Sequence, residues 1–182
     1  MQTLISFLRG VNMTGHNSIR MADLSNLYGR LGFGENKTYI QSGNVIFKTE
    51  THADRKEIAE KIRQEILKTF RYDIPVIIRD IDELENTELS NPYINFPDFD
   101  TSKMAVIFLL NPVTKVGIDK MSAVRYSPDQ YCILDREILV YCPNGFGKTK
   151  LYTNFFESKM KVVGTARNWK TVATLLEMAK EF

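Results

Sequence analysis

Arg9, Asn12, His16 and Asn17 in one short segment, with Gln41, Ser42 and Asn44 in another, supply a guanidinium, an imidazole, a hydroxyl and several carboxamides. These groups suit recognition of an anion, above all a phosphate. Arginine can clamp it bidentately, and the amides would orient whatever carries it. Gly10, Gly15 and Gly43 let backbone N–H groups approach a ligand, and the first segment, which also holds Thr14, feeds a predicted helix. The competing reading is a pair of polar turns capped by their own side chains.

A second candidate is the run Pro143-Asn144-Gly145-Phe146-Gly147-Lys148-Thr149-Lys150, which leads from a strand toward a helix. It contains Gly-Lys-Thr, but a phosphate-binding P-loop requires a glycine where Cys142 stands, so that motif fails. What remains is a glycine-rich turn before a basic helix start, able to hold an anion through N–H groups and Lys148. The alternative is a turn that uses Gly145 and Gly147 only for their backbone freedom.

Residues for catalysis are sparse. His16 and His52 are the only histidines, and no Cys, His and carboxylate spacing marks a metal site. Ser42 precedes Gly43 in a hairpin turn, unlike the strand-to-helix elbow of a hydrolase nucleophile. Cys132 and Cys142 fall in strand-like, apolar surroundings that favour inert free thiols. With the hairpin turning near Asp135–Glu137, Cys132 is expected opposite Leu139 or Tyr141 rather than Cys142. No reaction and no cofactor follow from these residues, and whether the protein is an enzyme is left open.

The elements that must position these groups are legible in the periodicity. Gln2–Leu8 reads as a buried strand. A helix follows over about Arg20–Leu31, with Met21, Leu24, Leu27, Tyr28 and Leu31 on one stripe. Thr38–Phe47 is a hairpin turning at Gln41–Asn44, where Gly43 supplies a positive φ and Asn44 tolerates one next best. Thr51 can cap a second helix, with Asp54 adding first-turn negative charge; Ile58, Ile62, Ile66 and Phe70 recur at every fourth position. Ile74–Ile78 is a strand whose Pro75 suggests a sheet edge. The order β-α-β-β-α-β is the ferredoxin-like pattern. In that topology the loop Arg9–Ser18 and the turn Gln41–Asn44 emerge at the same sheet end.

After an acidic helix over about Ile81–Leu89, Asn91–Asp100 reads as a linker, and the pattern then repeats. Met104–Leu110 is a strand and Val116–Val124 a helix. Gln130–Leu134 pairs with Ile138–Cys142, Lys148–Met160 is a helix with Leu151, Phe155 and Phe156 inward, and Val162–Thr165 is a strand. A last helix starts near Asn168 and carries Trp169, Val172, Leu175, Leu176 and Ala179 on one side. The predicted class is α+β, two tandem ferredoxin-like halves each followed by a helix. Residues 1–90 form the first half, 91–102 a linker containing the boundary, and 103–182 the second half.

Three segments, FLRGVNMTGHNSIRMADL, TYIQSGNVIF and PNGFGKTKL with TARNWKTV, together resemble the DUF1697 family of bacterial proteins, whose function is uncharacterised. The resemblance covers nearly the whole chain. It implies an α+β fold with ferredoxin-like halves and carries no reaction, substrate or catalytic residue.

Composition sets the outer bounds. The chain has 182 residues, 43% hydrophobic and 25% charged, with a net charge of +2 that neither demands nor excludes nucleic acid. Acids gather between Asp80 and Ser102, where seven stand without a Lys or Arg. Bases gather between Pro143 and Lys170, six against Glu157. The start lacks the flanks of a signal peptide, and no apolar run approaches the roughly 20 residues that span a membrane. A cytoplasmic protein with reduced thiols and no membrane partner is expected.

Two functions compete on these grounds. One is a non-catalytic module for a phosphate-bearing ligand, a nucleotide or RNA; RNA would stack on Phe7 and Phe47 of the first sheet. The other is an enzyme for a small phosphorylated or polar metabolite in a cleft between the halves. A protein-interaction module using the aromatic linker is a third possibility.

Overall fold

The computed structural model describes residues 1–13, 15–50 and 54–182. Thr14, Thr51 and His52, named above, lie outside the described residues. The described chain is a mixed α/β protein with two four-stranded antiparallel sheets and six α-helices. It divides into two compact units: Met1–Glu85 with Leu175–Phe182, and Asn86–Thr174.

In the first unit, β1 (Gln2–Leu8), α1 (Met21–Arg30), β2 (Asn36–Tyr39), β3 (Asn44–Thr49), α2 (Arg55–Phe70) and β4 (Val76–Asp80) follow in sequence. The sheet order is β2-β3-β1-β4, which makes β4 an edge, as Pro75 suggested. One face of the sheet presents Leu4, Leu8, Val45, Phe47, Val76 and Ile78 to a core shared with α1 and α2. Burying each such aliphatic side chain contributes about 1.5–3 kcal/mol. Ile5, Phe7, Ile46 and Ile77, on the opposite parity, are also buried, so β1 reads as a continuous apolar run rather than an alternating one. Ser6 interrupts that run, and its hydroxyl lies 2.7 Å from the buried Tyr28 hydroxyl and donates to Val45 O. Burial pushes the Tyr28 phenol well above its ordinary range.

Asp54, expected in the first turn of α2, is instead its N-cap: the carboxylate accepts from the Lys56 N–H at 2.8 Å. The helix therefore starts at Arg55, one residue past the acid. At the chain's end, Lys180 pairs with Glu85 at 2.9 Å and Lys48 lies 5.0 Å from the Phe182 ring centroid.

α3 (Ile81–Leu89) leads out of the first unit. The second unit contains β5 (Met104–Leu109), α4 (Lys115–Met121), β6 (Gln130–Ile133), β7 (Glu137–Tyr141), α5 (Thr153–Met160) and β8 (Gly164–Asn168), with α6 (Trp169–Lys180) beginning in it. Its sheet order, β6-β7-β5-β8, repeats that of the first. Cys132 pairs with Leu139, and both cysteines are free thiols. Asn91 and Tyr93, within the stretch read as a linker, are buried; Tyr93 stacks on Tyr141 with ring centroids 5.5 Å apart.

The expected helix from Lys148 is corrected. Phe146–Lys148 forms one 3-10 turn, Thr149 and Tyr152 are extended with a bend at Lys150 between them, and α5 begins only at Thr153. Thr149 is buried and its hydroxyl accepts from the Leu151 N–H at 3.0 Å, a local bond that holds the chain out of the helix.

Candidate functional site

β1 is antiparallel to β3, and β3 to β2, so the segment after β1 and the turn between β2 and β3 leave the sheet at one end. The two are bonded to each other there. Leu8 N–H donates to Gly43 O at 2.8 Å, and the Asn12 carboxamide donates to Gln41 O at 2.8 Å and to Ile19 O at 2.9 Å. Asn12 Oδ1 in turn accepts from the Ile19 N–H at 2.8 Å. One side chain thus ties the turn, the loop and the entry to α1 together.

The hairpin closes on the pair Tyr39–Asn44, leaving Ile40–Gly43 as its turn. Gly43 has a φ of +74°, and a Cβ placed there would sit 2.9 Å from Leu8 Cβ and 3.3 Å from Val11 Cβ. Glycine is needed for the backbone angle and for the close approach alike. The other left-handed residue of the turn is Ile40, at φ +47°, not Asn44. A β-branched residue there costs of order 1–3 kcal/mol, and the surrounding bonds hold it.

The remaining predicted residues divide by what their polar atoms do. Asn44 is fully buried in β3, and its Nδ2 donates to Tyr39 O at 3.0 Å and Ser42 Oγ at 2.9 Å. Asn17 donates to Gly10 O at 3.1 Å. His16 is exposed, and its backbone N–H donates to Met13 O at 2.8 Å. Gln41 is exposed, while Arg9 is half-buried with its N–H on Pro75 O at 3.0 Å. The carboxamides of Asn12, Asn17 and Asn44, read as ligand donors, are therefore bonded within the protein. Arg9, His16 and Gln41 share the sheet end with a backbone that is left-handed at Gly10, Asn12, Gly15, Asn17, Ile40 and Gly43.

The second candidate, Gly145 to Lys150, follows β7, whose pairing with β5 is continued where Cys142 N–H donates to Lys103 O at 2.8 Å. Gly145 has a φ of +81°. Lys148 and Lys150 are exposed, and Thr149 is buried. Because α5 starts at Thr153, the N–H groups of Lys148–Lys150 do not form the first turn of an α-helix, and the dipole argument for an anion there loses its basis. Stacking of RNA on the first sheet is likewise corrected. Phe7 and Phe47 are fully buried, and Phe47 packs against Tyr28 and Phe33 at centroid distances of 5.3 and 4.8 Å.

Sequence reasoning missed the clefts that open among the described residues of the second unit. One, of about 670 Å³, lies among α4, the segment 122–129 and β6, lined by Met121, Arg125, Tyr126 and Tyr131 among others. Another, of about 550 Å³, is lined by Phe96, Asp98, Lys103, Gln130 and Tyr141 among others. The only trace in the sequence is Arg125-Tyr126 just ahead of Tyr131 in the second hairpin, a pairing of cation and aromatic that forms no motif. Among the described residues no group of three His, Cys, Asp or Glu could hold a metal ion, and no helix is long and apolar enough to cross a membrane.

Comparison with known proteins agrees with this architecture. A structure described as that of conserved bacterial protein SP0830 from Streptococcus pneumoniae superposes with a TM-score of 0.74 at 18% identity, covering 98% of each chain. At that identity the likeness shows the fold alone. No curated protein matches the chain. The loop after β1, the first hairpin and the second hairpin as far as the first residues of β7 fall within residues 1–139, the span matched by the family described as protein of unknown function DUF1697, and the chain belongs to that family.

Proposed function

We propose that the protein is a non-catalytic module that binds a phosphate-bearing ligand, a nucleotide or RNA, at the end of the first sheet. The observation that carries this reading is the Asn12 side chain, which bonds the loop after β1 to the β2–β3 turn and so gathers Arg9, His16 and Gln41 on one rigid, glycine-bearing end. In this reading Arg9 clamps the anion, and Gln41 and Ser42 orient the group that carries it. Asn12, Gly43 and Asn44 build the frame and leave recognition to their neighbours. Left-handed residues at Gly10 and Asn12 favour a concavity of N–H groups, which suits an anion. Burial of Phe7 and Phe47 restricts RNA to recognition by loops, through its phosphates. The strand orders β2-β3-β1-β4 and β6-β7-β5-β8 support reading the chain as two ferredoxin-like halves.

A thermal-shift titration with inorganic phosphate, nucleotides and short RNA tests this on the wild type, Arg9→Ala and Gln41→Ala. A ligand at one hundred times its dissociation constant stabilises the fold by roughly 2.7 kcal/mol, a shift on the order of a few degrees. Both variants should lose most of the shift. Gln41 is exposed, so its variant stays informative if Arg9→Ala folds poorly. No shift with any of these ligands, or an undiminished shift in both folded variants, overturns the proposal.

A further inference from the structure

The cleft of about 670 Å³ in the second unit falls within the roughly 300–1,000 Å³ typical of small-molecule sites, and its walls are rigidly held. Tyr131 bonds through its hydroxyl to Met121 O at 2.7 Å and packs edge-on against Phe156 at 5.4 Å. Tyr126 packs edge-on against Phe155, also at 5.4 Å. Ile118, Met121, Val124 and Ile133 complete an apolar lining around the two rings. Such pre-set walls leave little ordering cost to binding.

Charge selects the occupant. Arg125 lines the cleft and is exposed, with its Nη1 anchored on the carbonyls of Ser122 and Val124, both at 2.8 Å. The Lys150 ammonium lies 5.9 Å from the Tyr126 ring centroid. Asp129 is the one carboxylate among the lining residues, against Arg125 in the lining and Lys150 beside it. We infer that this cleft binds a small planar anion: an aryl ring against Tyr126, Tyr131 and Met121, with its carboxylate or phosphate at Arg125. This goes beyond the reading at the first sheet and shares no residue with it.

The test uses the full chain and a matched pair of probes, 2-naphthoate and the neutral 2-naphthalenemethanol, followed by amide chemical shifts and calorimetry. Naphthoate should shift the amides of Ser122–Ile133 and bind about tenfold tighter than the alcohol. Arg125→Gln, a change at an exposed residue, should abolish that preference by weakening naphthoate about tenfold while leaving the alcohol within twofold. Arg9→Ala should leave naphthoate binding unaltered, which separates failure here from failure at the first sheet. Absent binding, shifts confined to other residues, equal affinity for acid and alcohol, or unchanged naphthoate affinity in Arg125→Gln overturns the inference.

Discussion

At the end of the first sheet, Asn12, Asn17 and Asn44 spend their carboxamides on backbone carbonyls and a neighbouring hydroxyl. In the second unit, Ser127 and Gln130 line a cleft together with Arg125, whose Nη1 is held by two backbone carbonyls. Both regions are polar loops beside a hairpin, and in sequence the first looks the richer in ligand donors. The difference lies in what topology places next to each loop. Two chain segments leave the first sheet side by side, and their buried backbone groups must find partners, since an unmade buried hydrogen bond costs about 1–3 kcal/mol. The asparagines meet that demand. Beside the second hairpin the strand β6 and the short helix α4 stand apart, and side chains line the space between them. Polar density in a sequence therefore marks a loop that must be held as readily as one that binds.

The comparison breaks first, and by the widest margin, at Gly43. If the first region is a tightly built frame, Gly43→Ala combines a left-handed backbone with a Cβ 2.9 Å from Leu8 Cβ. It should destabilise the protein by roughly 2–4 kcal/mol, a fall in thermal midpoint on the order of 5–15 °C. A midpoint within a degree of wild type would show that the turn relaxes freely.

A somewhat smaller effect sharpens the same point. Asn12→Ala removes three hydrogen bonds to Ile19 and Gln41 and strains a residue at φ +55°, at a cost of about 2–3 kcal/mol by urea unfolding. Asn12→Gly should recover part of this by relieving the backbone alone. Equal loss in both variants would assign the whole effect to the side chain, and no loss in either would return Asn12 to the list of ligand donors.

The smallest effect concerns the second unit and changes reactivity rather than stability. Burial pushes both the Cys132 and the Cys142 thiols up, so less thiolate is present near pH 8 than in an unfolded chain. Alkylation of the folded protein should be slower than of the urea-unfolded protein, with the gap narrowing as pH rises above the ordinary cysteine range. Cys132, half-buried on β6, should react before the buried Cys142, and denatured chains should titrate two thiols. Equal rates at both positions would mean that the second hairpin opens as a whole and that its cleft is not rigid.

What the sequence determined by itself is the order of elements and the paired hairpins. These rest on local facts: the apolar stripe of α1, the recurrence of Ile58, Ile62 and Ile66 in α2, and a glycine at the β2–β3 turn. The convergence of the first loop with that turn was also legible, because antiparallel pairing dictates which loops share a sheet end. The parts that depend on neighbours distant in sequence were decided only by the tertiary structure. The left-handed strain falls on Ile40 because the Tyr39–Asn44 pair closes the turn there. Helix α5 starts late because Thr149 is drawn into the interior and caps Leu151. Phe47 is a core residue because α1 brings Tyr28 against it, and Asn12 is a strut because Ile19 and Gln41 arrive on either side of it. A side chain's chemistry is written in its type, but whether its hydrogen-bonding groups are free to act depends on which carbonyls the fold brings within 3 Å.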